Sequence, residues 1–322
     1  MAQDINLSQF YELPLLRNPA LGGIFGGDMR LIAAYRNQWQ SITTGYQTKA
    51  LSAEFKFALA ENSNDFLTLG LQITDDQAGD SKLSKTQFLP ALNFHKSLNG
   101  DEDSYLSAGI MGGAVQHRFD PTKLQFDDQF MNGSFSPTNP TRQTFNNSTL
   151  IYWDVAAGLS FSSVVGNDIH YYAGLGLFHF TQPNVAFVAT NDYRLNQKWV
   201  FNVGLSAPTS EDDKLSLYGD YFTQGQNKQV QGGFLYSHDL VKYNDDEKMA
   251  IAGGIFYRWN DAIIPVVKLA HYHLGIGVSY DINISNLSAA SQLRGGMEVI
   301  LSYKNYLNMS SSSLHKIRCP AF

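Results

Sequence analysis

Alternation of apolar and polar residues is the dominant pattern along this chain. It is clearest over residues 51–59, 67–74, 199–206, 274–283 and 297–303. Because successive side chains of a strand point to opposite faces, each run predicts a strand with one apolar and one polar face. No segment has the pattern of a helix. The pattern predicts about fourteen strands, near residues 28–38, 48–59, 65–75, 85–97, 103–118, 149–164, 168–181, 196–207, 213–224, 228–241, 248–259, 261–270, 272–283 and 294–304.

The connections between these strands alternate in length. Short polar turns at 61–64, 99–102, 166–167, 210–213 and 243–247 alternate with longer segments at 39–47, 76–84, 119–148, 182–195 and 284–293. Short turns at one end and longer loops at the other are typical of transmembrane β-barrels. Aromatic residues near the predicted strand ends suit the membrane interfaces: Tyr35, Trp39, Tyr152, Trp153, Tyr171, Trp199, Tyr257, Trp259, Tyr303 and Tyr306.

The polar face of the strands carries charges that a small dry core would not accommodate: Arg36, Glu54, Lys56, Asp220, Asp281 and Glu298. A membrane barrel turns its apolar face to lipid and its polar face to the lumen. A large soluble β-sandwich or solenoid, which buries the apolar face against a second sheet, is the alternative. We predict an all-β, antiparallel, up-and-down transmembrane β-barrel of about 14 strands.

We divide the chain into an N-terminal segment, 1–27, a barrel, 28–304, and a C-terminal tail, 305–322. Pro14 and Pro19 make the segment unsuitable as a lipid-facing strand. We expect it to cross the lumen or to contact a periplasmic partner, the alternative being a loosely ordered leader. The segment and the tail are expected on the periplasmic side or in the lumen, with both termini in the periplasm.

The composition of the chain excludes several kinds of partner and binding site. The 322 residues include 23 basic and 29 acidic side chains, a formal net charge of −6, so nucleic acid is not an expected partner. Cys319 is the only cysteine, which excludes an intramolecular disulfide and a zinc site built on paired cysteines. Ala2-Gln3-Asp4 resembles the start of an exported chain after signal-peptide removal.

The sequence contains few candidate catalytic or metal-binding motifs. The sequence contains no nucleophile elbow, HExxH motif or phosphate-binding glycine loop, so we predict no enzymatic activity and no cofactor. His271 and His273 lack a nearby third ligand, and the acidic turns lack the spacing of a calcium loop. The loop 119–148 carries aromatic residues and a methionine among polar residues, namely Phe119, Phe126, Phe130, Met131 and Phe135. They suggest a docking surface for a secreted protein, or alternatively a loop folded into the lumen.

Ordered blocks near both ends of the chain carry a family resemblance. They comprise Gln9, Asn18-Pro19 with Gly22, Tyr35-Arg36-Asn37-Gln38-Trp39, Tyr257-Arg258 with Asp261, Tyr280-Asp281, and Glu298. Together they resemble the PorP/SprF family of type IX secretion membrane proteins. Leu21 replaces the tyrosine that is commoner after Asn-Pro-Ala in that family.

The resemblance implies a bacterial outer-membrane protein that assists export and cell-surface attachment of an adhesin-like cargo through the cargo's C-terminal domain. Its implied partners are that cargo, the type IX machine with its periplasmic components, and outer-membrane lipid. Two alternatives stay open: a core machine component that links the outer membrane to periplasmic, peptidoglycan-associated partners, and a passive porin or solute channel.

Overall fold

A computed structural model shows one antiparallel sheet closed into a barrel of fourteen strands. It describes residues 4–38, 45–59, 63–98, 104–131, 133–136, 138–143, 147–166, 168–187, 192–242, 248–285 and 294–306. The barrel strands are β1 (Met29–Gln38), β2 (Tyr46–Ala58), β3 (Phe66–Ala78), β4 (Leu83–Ser97), β5 (Tyr105–Arg118), β8 (Thr149–Val165), β9 (Ile169–Phe178), β10 (Lys198–Pro208), β11 (Asp213–Gln224), β12 (Asn227–Lys242), β13 (Lys248–Arg258), β14 (Ala262–His271), β15 (Leu274–Asn283) and β16 (Arg294–Asn305). A small hairpin of β6 (Phe130–Met131) and β7 (Ser134–Phe135) lies in the connection between β5 and β8.

Each barrel strand pairs with its neighbours in sequence, and β1 pairs with β16 to close the ring. The predicted fourteen-stranded antiparallel barrel is therefore confirmed. Among the described barrel strands, closure leaves none with an unpaired edge, which is the condition for a sheet in hydrocarbon.

The barrel has two unlike ends. We call the end that carries the connections after β1, β3, β5, β9, β11, β13 and β15 the loop end, because it includes the long connections 119–148 and 179–197. The opposite end carries the short connections and the points where the chain enters β1 and leaves β16, and we call it the turn end.

The two faces of the sheet differ as the alternation predicts. Outward side chains such as Leu51, Ile110 and Val267 are large, apolar and exposed, whereas inward side chains such as Glu54 and Gln72 are buried. A continuous exposed apolar exterior requires hydrocarbon around it. Among the residues described, none belongs to a helix that is long and apolar enough to cross a membrane.

The N-terminal segment fills the interior. It forms three short 3-10 turns, Phe10–Glu12, Pro14–Leu16 and Pro19–Leu21, and two of them begin with proline, which needs no hydrogen bond from its nitrogen there. Leu13, Leu15, Ala20 and Phe25 are almost fully buried in it. The lumen, one of the two expected positions, is thus where this segment lies.

Two predictions about local structure need correction, and others fall on residues that the structure does not describe. The strand predicted over 168–181 ends at Phe178, because His179 adopts a left-handed backbone conformation with φ 57° that a strand does not continue through. Tyr152 lies buried inside the barrel instead of at a membrane interface, and its hydroxyl is 3.2 Å from His117 Nε2. Trp39 and residues 307–322 of the predicted tail, with Cys319, lie outside the described residues.

Candidate functional site

The candidate site is the lumen itself, occupied by residues 4–28, which we call the plug. Asp4 lies beside Lys85 and Lys198, which stand at the loop-end starts of β4 and β10. Asp28 leads into β1 at the turn end, where its backbone N–H donates to the Asn305 carbonyl at 2.9 Å. The plug therefore runs through the barrel from the loop end to the turn end.

A buried polar cluster holds the first described residue of the plug. We call Asp4, Lys85, Asp154, His179 and Lys198 the Asp4 latch. The Asp4 carboxylate is 2.9 Å from Lys85 Nζ, 2.7 Å from His179 Nε2 and 3.6 Å from Lys198 Nζ. The other ring nitrogen of His179, Nδ1, is 2.7 Å from the Asp154 carboxylate.

The charges of the latch shift two pKa values in opposite directions. Burial alone would lower the pKa of His179, but the carboxylates of Asp4 and Asp154 outweigh it and raise that pKa to about 9. Burial alone would raise the pKa of Asp4, but Lys85, His179 and Lys198 outweigh it and hold that pKa well below its ordinary value. Near neutral pH the latch is therefore an ion pair between a carboxylate and an imidazolium, flanked by two lysines.

Residues of the family blocks meet in a second buried cluster. Arg36 Nη2 lies 2.7 Å from Asp281 Oδ2, and Arg258 Nη2 lies 2.9 Å from the same oxygen. Arg36 Nη1 is 3.6 Å from the Glu298 carboxylate, and Arg258 Nη1 is 2.9 Å from Asp261. We call Arg36, Arg258, Asp261, Asp281 and Glu298 the motif cluster.

The motif cluster binds the backbone of the plug. The N–H groups of Ser8 and Gln9 donate to the two oxygens of Glu298, at 2.7 and 2.8 Å. Arg36 Nη1 donates to the carbonyl of Asn6 at 2.5 Å. Hydrogen bonds to charged partners are stronger than neutral ones, so this cluster fixes the start of the plug against β1, β13, β15 and β16.

The Asn18-Pro19 block forms a third anchor, on the opposite wall. Asn18 Oδ1 accepts from the Ala20 N–H at 2.9 Å, and Asn18 Nδ2 donates to the Leu159 carbonyl at 3.2 Å. Asn93 Nδ2 donates to the carbonyls of Pro19, at 3.2 Å, and Gly22, at 2.6 Å. The 3-10 turns thus place carbonyl groups where inward side chains of the wall can bind them.

Close approach of the plug to this wall depends on glycine. A Cβ at Gly158 would lie 1.9 Å from Asn18 Oδ1, and one at Gly109 would lie 2.6 Å from the Pro19 carbonyl carbon. Both distances are far below van der Waals contact, so only a residue without a side chain lets the plug sit here.

Further ion pairs hold the rest of the plug. Arg17 Nε is 2.8 Å from Asp220 Oδ2, and Arg17 Nη1 is 2.9 Å from the Tyr172 hydroxyl. Glu54 accepts from the Gly23 N–H at 2.7 Å and pairs with Arg30 Nη2 at 2.7 Å. Lys56 Nζ donates to the Phe25 carbonyl, and Lys268 pairs with Glu12.

The remaining family-block residues divide between the two faces of the sheet. Gln9 lies in the lumen, where its Nε2 is 3.3 Å from the Ser279 hydroxyl. Tyr35, Tyr257 and Tyr280 are exposed on the outer surface. Asn37, which is half-buried, donates from Nδ2 to the Tyr35 hydroxyl at 3.3 Å, and Gln38 is half-buried at the loop-end terminus of β1.

The five candidate docking residues of the 119–148 loop also divide into two groups. Phe130, Met131 and Phe135 lie on the β6–β7 hairpin, with Phe130 opposite Phe135 and exposed fractions of 60%, 49% and 38%. Phe119 is buried with its ring centroid 4.8 Å from that of Phe187, and Phe126 is half-buried. The plug, and not these three exposed hairpin residues, fills the lumen.

The stem of this hairpin is held by its own hydrogen bonds. Gln129 is buried; its Nε2 donates to the Asn139 carbonyl at 3.1 Å, and Asn139 Nδ2 donates back to the Gln129 carbonyl at 2.8 Å. The backbone N–H of Arg142 donates to Asp128 at 2.6 Å, and that hydrogen bond lowers the pKa of the Asp128 carboxyl. The stem therefore presents the exposed hairpin residues on a defined support.

Neither the latch nor the plug's ion pairs were predicted. The inward charges of the strands were recognised as lumen-lining, but their partners Asp4, Glu12 and Arg17 lie in a segment with no strand pattern. The available signal was charge balance, since a filled lumen with inward Lys85, Lys268 and Asp220 needs opposite charges. Within the described part of the chain, no three His, Cys, Asp or Glu side chains are grouped to hold a metal ion.

The barrel is similar in fold to solved membrane barrels of low sequence identity. Several solved barrels resemble the chain. The toluene transporter TbuX of Ralstonia pickettii is 11% identical, with 91% of this chain and 93% of that chain covered and a TM-score of 0.49, and the CymD monoaromatic hydrocarbon channel is 8% identical, with 92% and 93% covered and a TM-score of 0.48. BamA of Haemophilus ducreyi without POTRA domains 1–3 is 8% identical, with 86% of this chain and 70% of that chain covered and a TM-score of 0.42. No curated protein matches the sequence.

The sequence pattern of the type IX secretion system membrane protein PorP/SprF matches residues 1–303. That span covers nearly the whole chain, including the plug, the first thirteen barrel strands and all but the last two residues of β16. The chain therefore belongs to the PorP/SprF family of type IX secretion system membrane proteins.

Proposed function

We propose that this protein is a non-enzymatic outer-membrane component of type IX secretion that assists export of an adhesin-like cargo and holds the cargo's C-terminal domain at the cell surface. In this proposal the loop end faces the outside and the turn end faces the periplasm, as in other membrane barrels with short turns on the periplasmic side.

The observation that carries the proposal is the filled lumen. The plug is bound by the Asp4 latch, the motif cluster, Arg17–Asp220 and Glu54, and its apolar side chains are buried. A lumen occupied in this way does not conduct a polypeptide, so the chain acts through the surfaces at its two ends. The same observation weighs against a passive porin or solute channel.

The β6–β7 hairpin supports a docking role for the loop end. Phe130, Met131 and Phe135 expose apolar side chains above the barrel, on a stem held by Gln129 and Asn139. Aromatic side chains on a rigid support are frequent anchors of protein interfaces, because they bury much area for little loss of conformational entropy. The cargo domain is proposed to cover these three residues.

The test is surface display of a cargo domain in cells that carry the triple variant Phe130→Ser, Met131→Ser, Phe135→Ser. We expect surface-bound cargo to fall about tenfold or more relative to the wild type, since loss of a few central anchors commonly costs at least 1.4 kcal/mol. Barrel abundance in the outer membrane is measured in the same cells.

Leu59 and Leu98 provide the matched control, because they are large, apolar and exposed at the turn end. The double variant Leu59→Ser, Leu98→Ser is expected to display cargo normally. Normal display by the hairpin variant at normal barrel abundance would refute the docking role. Loss of display by the turn-end variant alone would instead favour a component that links the membrane to periplasmic partners.

A further inference from the structure

The outer surface of the barrel carries a groove on the face that is turned to lipid. It has a volume of about 510 Å³, crosses the strands from β3 to β10 and is lined by apolar residues. Ala108 on β5 and Ala157 on β8 leave the space, because the residues opposite them in the register, Leu159 and Ile110, are large and exposed. We call this space the Ala108 groove.

A charged pair continues the line of the groove toward the turn end. Leu67 on β3 and Phe94 on β4 both line the groove and lie opposite each other in the register. Asp65 and Lys96 are two residues further toward the turn end, so their side chains leave the sheet on the same face, about 7 Å from the apolar pair. Lys96 Nζ is 2.7 Å from Asp65 Oδ2.

The charged pair is held in place and can still bind another group. Asp65 Oδ1 accepts from the backbone N–H of Ser97 at 2.9 Å, and the Lys96 side chain is 56% exposed. An ammonium has three N–H donors and each carboxylate oxygen has two acceptor positions. One contact between Lys96 and Asp65 therefore leaves each group able to bind a further partner of opposite charge.

The surroundings of the pair are apolar. Phe94 precedes Lys96 on the outer face of β4, and Leu98 follows it; both are exposed, as is Leu59 at the turn next to Asp65. Charged side chains in a surface that faces lipid are unfavourable unless lipid headgroups or water reach them. A headgroup that contains both a phosphate and an ammonium supplies the two opposite charges that this pair can bind.

The carboxylate of Asp65 distinguishes between headgroups. A headgroup that carries only a phosphate would pair with Lys96 and leave its charge beside Asp65, and like charges that face each other oppose association. The two adjoining turns, 60–62 and 99–103, lie outside the described residues; their sequence adds only acidic charges, Glu61, Asp101, Glu102 and Asp103. An ammonium group in the ligand converts this repulsion into attraction.

We propose that the Ala108 groove and the Asp65–Lys96 pair form one binding site for a phospholipid with a zwitterionic headgroup, of the leaflet at the turn end. Lys96 binds the phosphate, Asp65 binds a primary ammonium, and one acyl chain lies along Ala108 and Ala157. The site is independent of cargo docking, because it lies on the outer wall of the barrel and its test uses no cargo.

The test is native mass spectrometry of the full-length protein in detergent, titrated with phosphatidylethanolamine or with phosphatidylglycerol. The two probes have identical acyl chains and the same phosphate, and they differ in the ammonium. We expect the wild type to bind one molecule of phosphatidylethanolamine about tenfold or more tightly than phosphatidylglycerol, because a hydrogen bond between charged groups contributes about that factor.

Two variants separate the roles of the charges. Asp65→Asn keeps an acceptor oxygen for Ser97 but removes the charge, so the preference for phosphatidylethanolamine is expected to fall about tenfold without weaker binding of phosphatidylglycerol. Lys96→Gln is expected to weaken both lipids about tenfold, since both contain the phosphate. Lys228→Gln, which changes an exposed lysine at the loop end, is the control and leaves both unchanged.

A third variant tests the groove. Ala108→Phe fills it without a change of charge and is expected to weaken phosphatidylethanolamine about tenfold or more. Ala53→Phe is the matched control, because Ala53 lines a similar outer groove of about 420 Å³ whose next positions toward the turn end, Met29, Phe55 and Asn305, are uncharged. This change leaves the binding of phosphatidylethanolamine as in the wild type.

Three results would overturn the proposal. The first is equal binding of the two lipids by the wild type, and the second is unchanged binding of phosphatidylethanolamine by Ala108→Phe. The third is a wild-type dimer without bound lipid that Ala108→Phe dissociates, since a second copy of the chain would then cover the groove.

Discussion

Arg36 on β1 and Asp281 on β15 form a buried ion pair, with 2.7 Å between Nη2 and Oδ2, although they are 245 positions apart in the sequence. Their strands are both neighbours of β16, and the pair crosses the lumen side of that strand. Glu298 on β16 completes the arrangement and binds the backbone of the plug. Two distant family blocks therefore serve one purpose, which is to seat the N-terminal segment.

Removal of one partner of this pair is expected to be costly. Asp281→Asn leaves Arg36 and Arg258 with a neutral partner in a site where both guanidinium groups are almost fully buried. We expect the free energy of unfolding to fall by about 1–3 kcal/mol, since both guanidinium groups lose a buried charged hydrogen-bond partner while Glu298 and Asp261 still face them. Urea unfolding in detergent, followed by tryptophan fluorescence, measures it.

Asp192→Asn is the control for that experiment. Asp192 pairs with Arg194 at 3.4 Å, but both side chains are about two-thirds exposed, and such pairs contribute little to stability. An unfolding free energy equally reduced in both variants would contradict a special role for the motif cluster.

The close packing of Asn18 against Gly158 provides a second prediction. Gly158→Ala places a Cβ within 1.9 Å of Asn18 Oδ1, so either the plug or β8 must move. We expect a loss of about 1–3 kcal/mol in the free energy of unfolding, the usual cost of an overpacked interior. Gly253→Ala is the matched change, because its Cβ would meet nothing within 4 Å; a similar loss there would show that the effect arises from the strand and not from the plug.

The Asp4 latch predicts a dependence on pH. The pKa of His179 is raised from 6.5 to about 9, so its contribution to stability is complete below pH 6.5 and is lost as the pH rises through about 9. The pKa of Asp4 is lowered from 3.8, so its contribution is present above pH 3.8 and is lost in stronger acid. The latch is therefore weaker at pH 10 than at pH 6.

Unfolding free energies at pH 6 and pH 10 check this dependence. We expect the wild type to lose more stability between the two values than His179→Gln, which has no imidazole to titrate. An equal loss in both proteins would show that other groups cause the change and that the latch does not titrate as described.

The strands were predictable because alternation is a local property. The strand β15, Leu274–Asn283, was predicted over 272–283 from its own side chains alone. It starts two residues later than predicted because Tyr272, with φ 52°, lies in the preceding turn. The inward position of Glu54 and Asp281 followed from the same alternation. What these residues bind did not follow, because Asp281 meets Arg36 only through barrel closure, and Glu54 meets the Gly23 N–H only through the path of a segment without periodic pattern.

The contacts of the plug could not be predicted from local sequence patterns either. Pro14 and Pro19 excluded a lipid-facing strand, but they did not indicate that 3-10 turns would aim the Pro19 and Gly22 carbonyls at Asn93. That contact joins residues more than seventy positions apart. The resemblance to a family identified the members of the motif cluster, and the closed barrel explains how they come together.

The measurement that tests the account most directly is single-channel conductance of the pure protein in planar bilayers, compared with a variant that lacks residues 4–25. The plug is predicted to close the lumen, so the full-length protein should show no steady conductance and the shortened protein should form open pores of constant size. A large steady conductance of the full-length protein, equal to that of the shortened one, would contradict the account.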